Sequence, residues 1–275
     1  MATTSSDAPA LAPLTGQVAI VTGAGGGGCG TAIAVALAGA GARVAVNGME
    51  HHRARLEELT RSCPGGALHP SIADVADGEQ VERMVDEVAR RLGTPTIVVH
   101  NAGPSLPPRR ITQLPASHWR AETAVILDGA YHLARATAAG MTEKGHGRFV
   151  FISSNTAFRG GRGRSASYAA AKAGLHGLAA QLALELGPAG ITCNVVAPSQ
   201  IDTPRARRGG RRDDDSMRRS AAQVPLGRVG SADDIAGVVT FLAGPSAAYL
   251  TGQVIRVDGG SALAPPATAL AQESA

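Results

Sequence analysis

Residues 16–31 read GQVAIVTGAGGGGCGT, and residues 31–40 continue as TAIAVALAGA before Gly41. The run 16–21 is short, apolar and bounded by glycines, which is the pattern of a strand buried on both faces. The Ala-rich run 31–40 is a helix, and Gly41 stops it. Between them lie Gly23, Gly25, Gly26, Gly27, Gly28 and Gly30. Glycines there let the chain turn sharply, and the helix that follows offers free N–H groups and its positive dipole end to a phosphate. A glycine turn alone also serves plain turns. Its place between a first strand and a first helix gives it weight as a dinucleotide site.

The same alternation extends outward. Strands are expected at 43–46, 67–72, 96–100, 147–153, 191–196 and 253–257. Helices are expected at 53–62, 79–91, 119–140, 168–186 and 232–243. The helix 79–91 has apolar residues at 81, 84, 85 and 88, a 3.6-residue period. Strands separated by helices predict an α/β fold: one Rossmann-type, doubly wound parallel sheet with helices on both faces. Residues 16–261 form that single domain. A small, polar, Pro-containing arm (1–15) precedes it, and an Ala/Pro-rich tail (262–275) follows.

Composition narrows the function. The 275 residues carry a net charge of +4, 44% hydrophobic residues and 17% charged ones, which fits a globular core. Aromatics are only 3%, too few for base-stacking platforms. Nucleic acid is not an expected partner. The three cysteines, Cys29, Cys63 and Cys193, are far apart and suggest neither a disulfide framework nor zinc. No metal is expected. No apolar run approaches a bilayer span, and the N-terminus lacks a signal-peptide pattern, so the expected location is cytoplasmic and no membrane partner is expected.

The end of the second strand addresses the cofactor. A dinucleotide site that prefers NAD places a carboxylate there for the ribose hydroxyls. Here the run is Val46-Asn47-Gly48-Met49, followed by Glu50, His51, His52 and Arg53. A 2′-phosphate would meet no fixed carboxylate and some positive charge, so NADP(H) is preferred and NAD(H) is not excluded. Against this, Glu50 would reach a ribose if it swung back, and the basic residues equally suit a solvated helix start. Asp74 and Val75 end the third strand and edge the adenine. Asn101-Ala102-Gly103 ends the fourth and lets the backbone approach the ribose.

The reacting groups come later. Tyr168-Ala-Ala-Ala-Lys172 puts a phenol and an ammonium on one helix face. A nearby cation favours a phenolate, which suits the phenol to general acid work. Ser153 and Ser154 end the fifth strand, where a hydroxyl would bind a substrate oxygen. Alone, the Tyr/Lys spacing is common in ordinary amphipathic helices. The order of glycine turn, Asn-Ala-Gly, strand-end Ser and then Tyr-x-x-x-Lys carries the signal.

With these residues the chain resembles the classical short-chain dehydrogenase/reductase family, and is most similar to its 3-oxoacyl-carrier-protein reductase and ketoreductase branch. The likeness covers about residues 14–261 and includes Asn194-Val-Val-Ala-Pro198, Thr203 and GQVIRVDGG at 252–260. It implies that Tyr168 protonates a carbonyl oxygen, that Lys172 supports Tyr168 and binds the nicotinamide ribose, and that Ser154 bonds the substrate oxygen. It further implies that Pro198, Ile201 and Thr203 hold the nicotinamide end. It also implies a homo-oligomer, a tetramer or dimer.

Three departures stand out against the resemblance. The turn from Thr22-Gly23 to Gly28-Cys29-Gly30 is one residue longer than the family's. Ile126 stands where the family carries a fourth catalytic residue, an Asn that supports a water relay to the Lys. Ser199 replaces the Gly after Pro198.

The segment 205–219 lies within the lid expected at 202–222. It carries seven Arg and three Asp, an excess equal to the net charge of the whole chain. An anionic or carrier-bound substrate would be drawn there, Arg207, Arg208, Arg211 and Arg212 being candidates. The plain alternative is a mutually paired, solvated run. Against carrier binding, Ala189 and Gly145 stand where carrier-specific reductases often have basic residues. The leading expectation is an NADPH-dependent ketoreductase or alcohol dehydrogenase acting on an acyl or secondary-metabolite carbonyl. The same scaffold also serves cyclisation, dehydration or epimerisation. A non-catalytic cofactor-binding protein has no need of Ser154, Tyr168 and Lys172 together.

Overall fold

The computed structural model describes residues 12–161, 163–207 and 214–263. In chain order the elements begin β1 (Val18–Val21), α1 (Cys29–Gly39), β2 (Arg43–Gly48), α2 (Arg53–Ser62), β3 (Leu68–Ile72), α3 (Gly78–Leu92) and β4 (Ile97–His100). They continue with α4 (Ala116–Thr123), α5 (Gly129–Lys144), β5 (Gly147–Ile152), α6 (Thr156–Arg159), α7 (Ala166–Leu186) and β6 (Ile191–Pro198). The last are β7 (Ile201–Asp202), α8 (Pro204–Arg207), α9 (Asp214–Ala221), β8 (Gly230–Ser231), α10 (Ala232–Ala243) and β9 (Val254–Val257).

Seven strands form one sheet in the order β3-β2-β1-β4-β5-β6-β9, and every pairing in it is parallel. Successive residues of β1 and β5 alternate between two cores. Ile20, Phe149 and Phe151 face the helices α3, α5 and α7. Val21, Val150 and Ile152 face α1, α2 and α10. Side chains alternate across a strand, so a sheet covered on both faces demands apolar residues at every position. This explains the unbroken runs. The order reverses between β1 and β4, which opens a crevice at their carboxyl ends.

Two boundaries differ from the sequence expectation. Leu14, assigned to a mobile arm, is buried in the α1 core, and its N–H donates to Ala40 O at 2.9 Å. Burying one leucine side chain is enough to pin the segment. The helix expected over 119–140 starts earlier and is broken: a π turn, Ala124–Asp128, separates α4 from α5. The small pair β7–β8 has too few residues for a periodic signal. Residues 1–11 and 264–275, within the expected arm and tail, lie outside the described residues.

Candidate active site

The glycine turn after β1 holds a 3₁₀ turn, Ala24–Gly26, between two left-handed glycines, Gly23 (φ 69°) and Gly27 (φ 66°). Gly23 is required twice over: its φ suits only glycine, and a Cβ would lie 2.9 Å from Ala102 Cα. Gly30 has a packing role, because a Cβ there would meet Gly23 O at 2.7 Å and Asn101 Nδ2 at 2.5 Å. Gly28 caps α1 through its carbonyl, which accepts from Thr31 N and Ala32 N. A Cβ on Gly25 would lie 2.7 Å from His52 Cβ, so this glycine lets the loop pack on His52.

A cleft of about 470 Å³ opens at the crevice. That volume is in the range of small-molecule sites. Gly23 and Gly26 form its floor, and the ends of β2, β3 and β4 form its walls, with Asp74, Val75, Ala102 and Gly103 among the lining residues. His51, His52 and Arg55 line its far end. A glycine cradle that a Cβ would fill, next to imidazoles and a guanidinium, fits a phosphorylated dinucleotide.

Three expected cofactor residues stand differently from the sequence reading. Arg53 does not line this cleft. Its Nε and Nη2 donate to Glu50 at 2.7 and 2.8 Å, and both side chains are exposed. Arg55, which the sequence reading passed over, is the guanidinium that lines it. Glu50, held by the same pairing, is likewise not among the residues that line the cleft. Asn47 lines the cleft, but its Nδ2 donates to Ser71 O and Ala73 O at 3.3 and 3.1 Å, so its amide ties β2 to β3. Asp74 accepts from Ala76 N at 3.0 Å, which shapes the turn after β3.

Asn101 donates through Nδ2 to Thr22 O at 3.0 Å, crossing from the end of β4 to that of β1. His100 is fully buried between these strands and the π turn. Its Nε2 lies 3.1 Å from Ile126 O, and its Nδ1 3.0 Å from Thr22 Oγ1. A carbonyl only accepts, so Nε2 carries the proton, and neutral Nδ1 accepts from the Thr22 hydroxyl. Thr22 Oγ1 in turn accepts from Asn101 N and Ala102 N at 3.0 and 3.1 Å. Burial, with the Lys172 charge adding to it, pushes His100 down to about 3, in keeping with a neutral ring. The Ile126 side chain is buried in the core, and its carbonyl is engaged by His100. The sequence reading missed His100, although a histidine ending a buried strand before Asn-Ala-Gly was visible.

The reacting groups gather at the end of β5, one strand beyond β4. Lys172 is buried, and its Nζ donates to Ile152 O. It lies 5.9 Å from the Tyr168 ring centroid. Ser153 Oγ donates to Lys172 O at 2.9 Å and so accepts from His176 Nε2, also at 2.9 Å. This bond docks α7 on the strand end. Ser154 is half-buried, with its Oγ 3.2 Å from Thr156 Oγ1. Burial, then the Arg256 charge, lowers the His176 pKa.

The residues before Tyr168 are also fixed. Ser167 Oγ donates to the buried Glu122 of α4. Ser165 Oγ accepts from Arg109 N at 3.0 Å. His118 Nε2 lies 3.5 Å from Glu122 Oε2 and 3.4 Å from Ser165 Oγ. Both contacts fall on one ring nitrogen, whereas a Ser-His-Glu relay uses both. The cluster therefore positions the α7 start and makes no nucleophile. Of the two aromatics expected near the pocket, Phe158 stacks on His176 and under Arg256. Tyr131 is half exposed against His132.

Of the residues expected at the nicotinamide end, Pro198 ends β6 and its carbonyl accepts from Asn155 N at 2.8 Å. Ile201 forms β7. Thr203 approaches the glycine turn, 3.9 Å from where a Gly28 Cβ would lie, and its Oγ1 accepts from Ala206 N. In the segment where the lid was expected, Arg207 pairs with Asp202 and Asp214, and Arg218 with Asp215. Arg208, Arg211 and Arg212 lie outside the described residues.

Residues 23–262 match the family model described as Enoyl-(Acyl carrier protein) reductase. The chain is a member of the short-chain dehydrogenase/reductase family. The 3-oxoacyl-[acyl-carrier-protein] reductase of Pseudomonas aeruginosa is 36% identical over 249 residues, 90% of this chain and 98% of that one. A gluconate 5-dehydrogenase from Burkholderia cenocepacia J2315, solved with NADP and tartrate, superposes with a TM-score of 0.83 at 30% identity, covering 93% of this chain and 98% of that one. A blue fluorescent protein from a metagenomic library, solved with NADPH, gives 0.82 at 34% identity over 91% of this chain and 99% of that one. No helix among the described residues of this short-chain dehydrogenase/reductase is long and apolar enough to cross a membrane.

Proposed function

We propose that this chain is an NADP(H)-dependent ketoreductase that reduces a carbonyl to a secondary alcohol. The observation that carries the reading is the pairing of Tyr168 with the buried Lys172 at the same carboxyl end of the sheet as the glycine-floored cleft. Its reductase relatives and the NADP-bound structural neighbours support it.

The glycine turn and the α1 N-terminus receive the pyrophosphate. His51, His52 and Arg55 meet the 2′-phosphate. Asn101, Ala102 and Gly103 seat the ribose, with Pro198, Ile201 and Thr203 at the carboxamide. Bound NADPH supplies the hydride. Ser154 Oγ donates to the substrate oxygen, and the Tyr168 hydroxyl gives that oxygen a proton. Lys172, fixed by Ile152 O, offsets the charge left on Tyr168. The chain's contribution is positioning and electrostatics. Like 3-oxoacyl reductases, it would take an acyl or secondary-metabolite carbonyl.

A cytoplasmic homo-oligomer is part of the same proposal. β9 is a sheet edge, and Tyr249 and Leu184 are exposed apolar residues of the kind that self-association covers.

The family description names reduction of a carbon–carbon double bond, and the relatives' name that of a 3-oxo group. The test therefore measures NADPH and NADH binding by fluorescence, then NADPH oxidation with 3-oxoacyl and enoyl thioesters and simple ketones. Tighter NADPH binding with turnover of ketones is expected. Absence of cofactor binding overturns the reading, and turnover of enoyl substrates alone replaces it.

A further inference from the structure

Among the described arginines of the 202–222 segment, Arg207 is shared by Asp202 and Asp214 and Arg218 pairs with Asp215, and beyond it Arg228 holds Asp234 at 2.6 and 2.8 Å. A different basic cluster emerges at the reacting end. The Arg164 guanidinium lies over the Tyr168 ring, 4.7 Å from its centroid. The bond from Arg109 N to Ser165 Oγ brings the segment of Arg109 and Arg110 beside that of Arg164, 55 positions further along the chain. All three side chains are exposed, and among the described residues none of them forms an ion pair.

A guanidinium on a ring face keeps its N–H donors for a planar anion, and a carboxylate accepts two of them in parallel. We propose that Arg164 binds the carboxylate of the substrate, so that the site takes 2- or 3-oxo acids in preference to neutral ketones. This rests on the ketoreductase reading and names its substrate class. The distance follows from the geometry: Arg164 touches the ring whose hydroxyl gives the proton, so an anion on Arg164 lies a few bonds from the reacting carbon. Arg109 and Arg110 add positive potential at the entrance, which raises the local concentration of an anion. The reaction balances as a two-electron reduction. Hydride from NADPH forms the new C–H bond, the Tyr168 proton goes to the carbonyl oxygen, and the products are a hydroxy acid and NADP⁺. The Tyr168 proton is restored from solvent.

The test compares acetoacetate with ethyl acetoacetate, and pyruvate with ethyl pyruvate, in the wild type, R164M and R164K. Wild-type kcat/KM should favour the acid by about tenfold or more, the worth of one charge-assisted contact. R164M should lower kcat/KM for the acid about tenfold more than for the ester, chiefly through KM, and R164K should recover part of it. NADPH binding by fluorescence reports that the variants are folded. If R164M does not fold, malonate competition against ethyl acetoacetate in the wild type decides: competition supports the proposal and its absence overturns it. Ester turnover without acid preference, or equal losses for both, overturns this inference and leaves the ketoreductase reading standing. NADPH binding with no turnover of either acid or ester overturns this inference, and the ketoreductase reading falls with it only if 3-oxoacyl thioesters and simple ketones are also left unreduced.

Discussion

His100 Nε2 donates to Ile126 O across 3.1 Å, joining the end of β4 to the π turn that breaks the long helix. The same ring accepts from Thr22 through Nδ1. One imidazole thereby ties the glycine-turn strand, the Asn-Ala-Gly strand and the helix beneath the Tyr–Lys pair. In the family resemblance this part of the helix carries an Asn with a relay water. Here Ile126 contributes only its carbonyl, and that carbonyl already has a donor. π turns concentrate at functional sites, and this one is held from outside by His100.

The pH dependence follows from burial. His100 titrates at about 3 when folded and near 6.5 when unfolded. Between those values the unfolded chain binds a proton that the folded chain does not, so stability falls as pH falls. The slope is half of about 1.4 kcal/mol per pH unit at pH 6.5 and approaches the full value below it, so the loss between pH 6.5 and 4.5 is about 2 kcal/mol. Urea denaturation of wild type and His100→Gln should show a shallower acid limb in the variant. An unchanged slope would place the acid sensitivity elsewhere.

Thr22 is the smaller half of the same junction. Thr22→Val keeps the shape and removes a hydroxyl that accepts from two backbone N–H groups and donates to His100. Buried groups left without partners cost about 1–3 kcal/mol each. The variant should lose at least that much stability by denaturant midpoint, and its NADPH affinity should fall as the Asn101–Ala102 backbone shifts.

Tyr168→Phe removes the proposed proton donor and keeps the ring. Turnover should fall by about 10²–10⁴-fold, with NADPH affinity unchanged by fluorescence titration. A drop of less than tenfold would assign the proton to another group.

Cofactor choice separates two neighbouring arginines. Arg55→Ala should weaken NADPH about tenfold while leaving NADH nearly unchanged, as expected for one charge-assisted phosphate contact. Arg53→Ala should alter neither, since its guanidinium is committed to Glu50. Equilibrium titration of both nucleotides distinguishes the two residues, and reversed effects would return the role to Arg53.

Gly23→Ala meets both a left-handed φ and the Ala102 Cα at 2.9 Å. A backbone clash offers no flexible side chain to move, so a loss of about 2–3 kcal/mol is expected. Calorimetry against Gly26→Ala, at a loop position without positive φ, gives the comparison.

Much of this was legible because it is local. Periodicity gave the strands and helices, since burial on one or two faces writes itself into residue spacing. Tyr168 and Lys172 were legible because one helix fixes their relation. Arg53 was left between the cofactor and a solvated helix start, and its i,i+3 pair with the exposed Glu50 is what the solvated alternative describes. Leu14 misled because its partners, the α1 core and Ala40, lie a full helix further on.

The α/β class, the two-sided sheet, the glycine turn and the order of the reacting residues are readable from the residues alone. These depend on backbone permissiveness and on a hydrophobic pattern repeated within each element. Which cations face a ligand site emerges with the packed fold. Arg207 and Arg218 are held by nearby aspartates, whereas Arg164 lies on Tyr168 and Arg55 reaches the cleft. It also decided that His100 serves the π turn of Ile126. Charge balance and hydrogen-bond satisfaction are settled by neighbours in space, and residues 26 or 78 positions apart become neighbours only when the sheet closes.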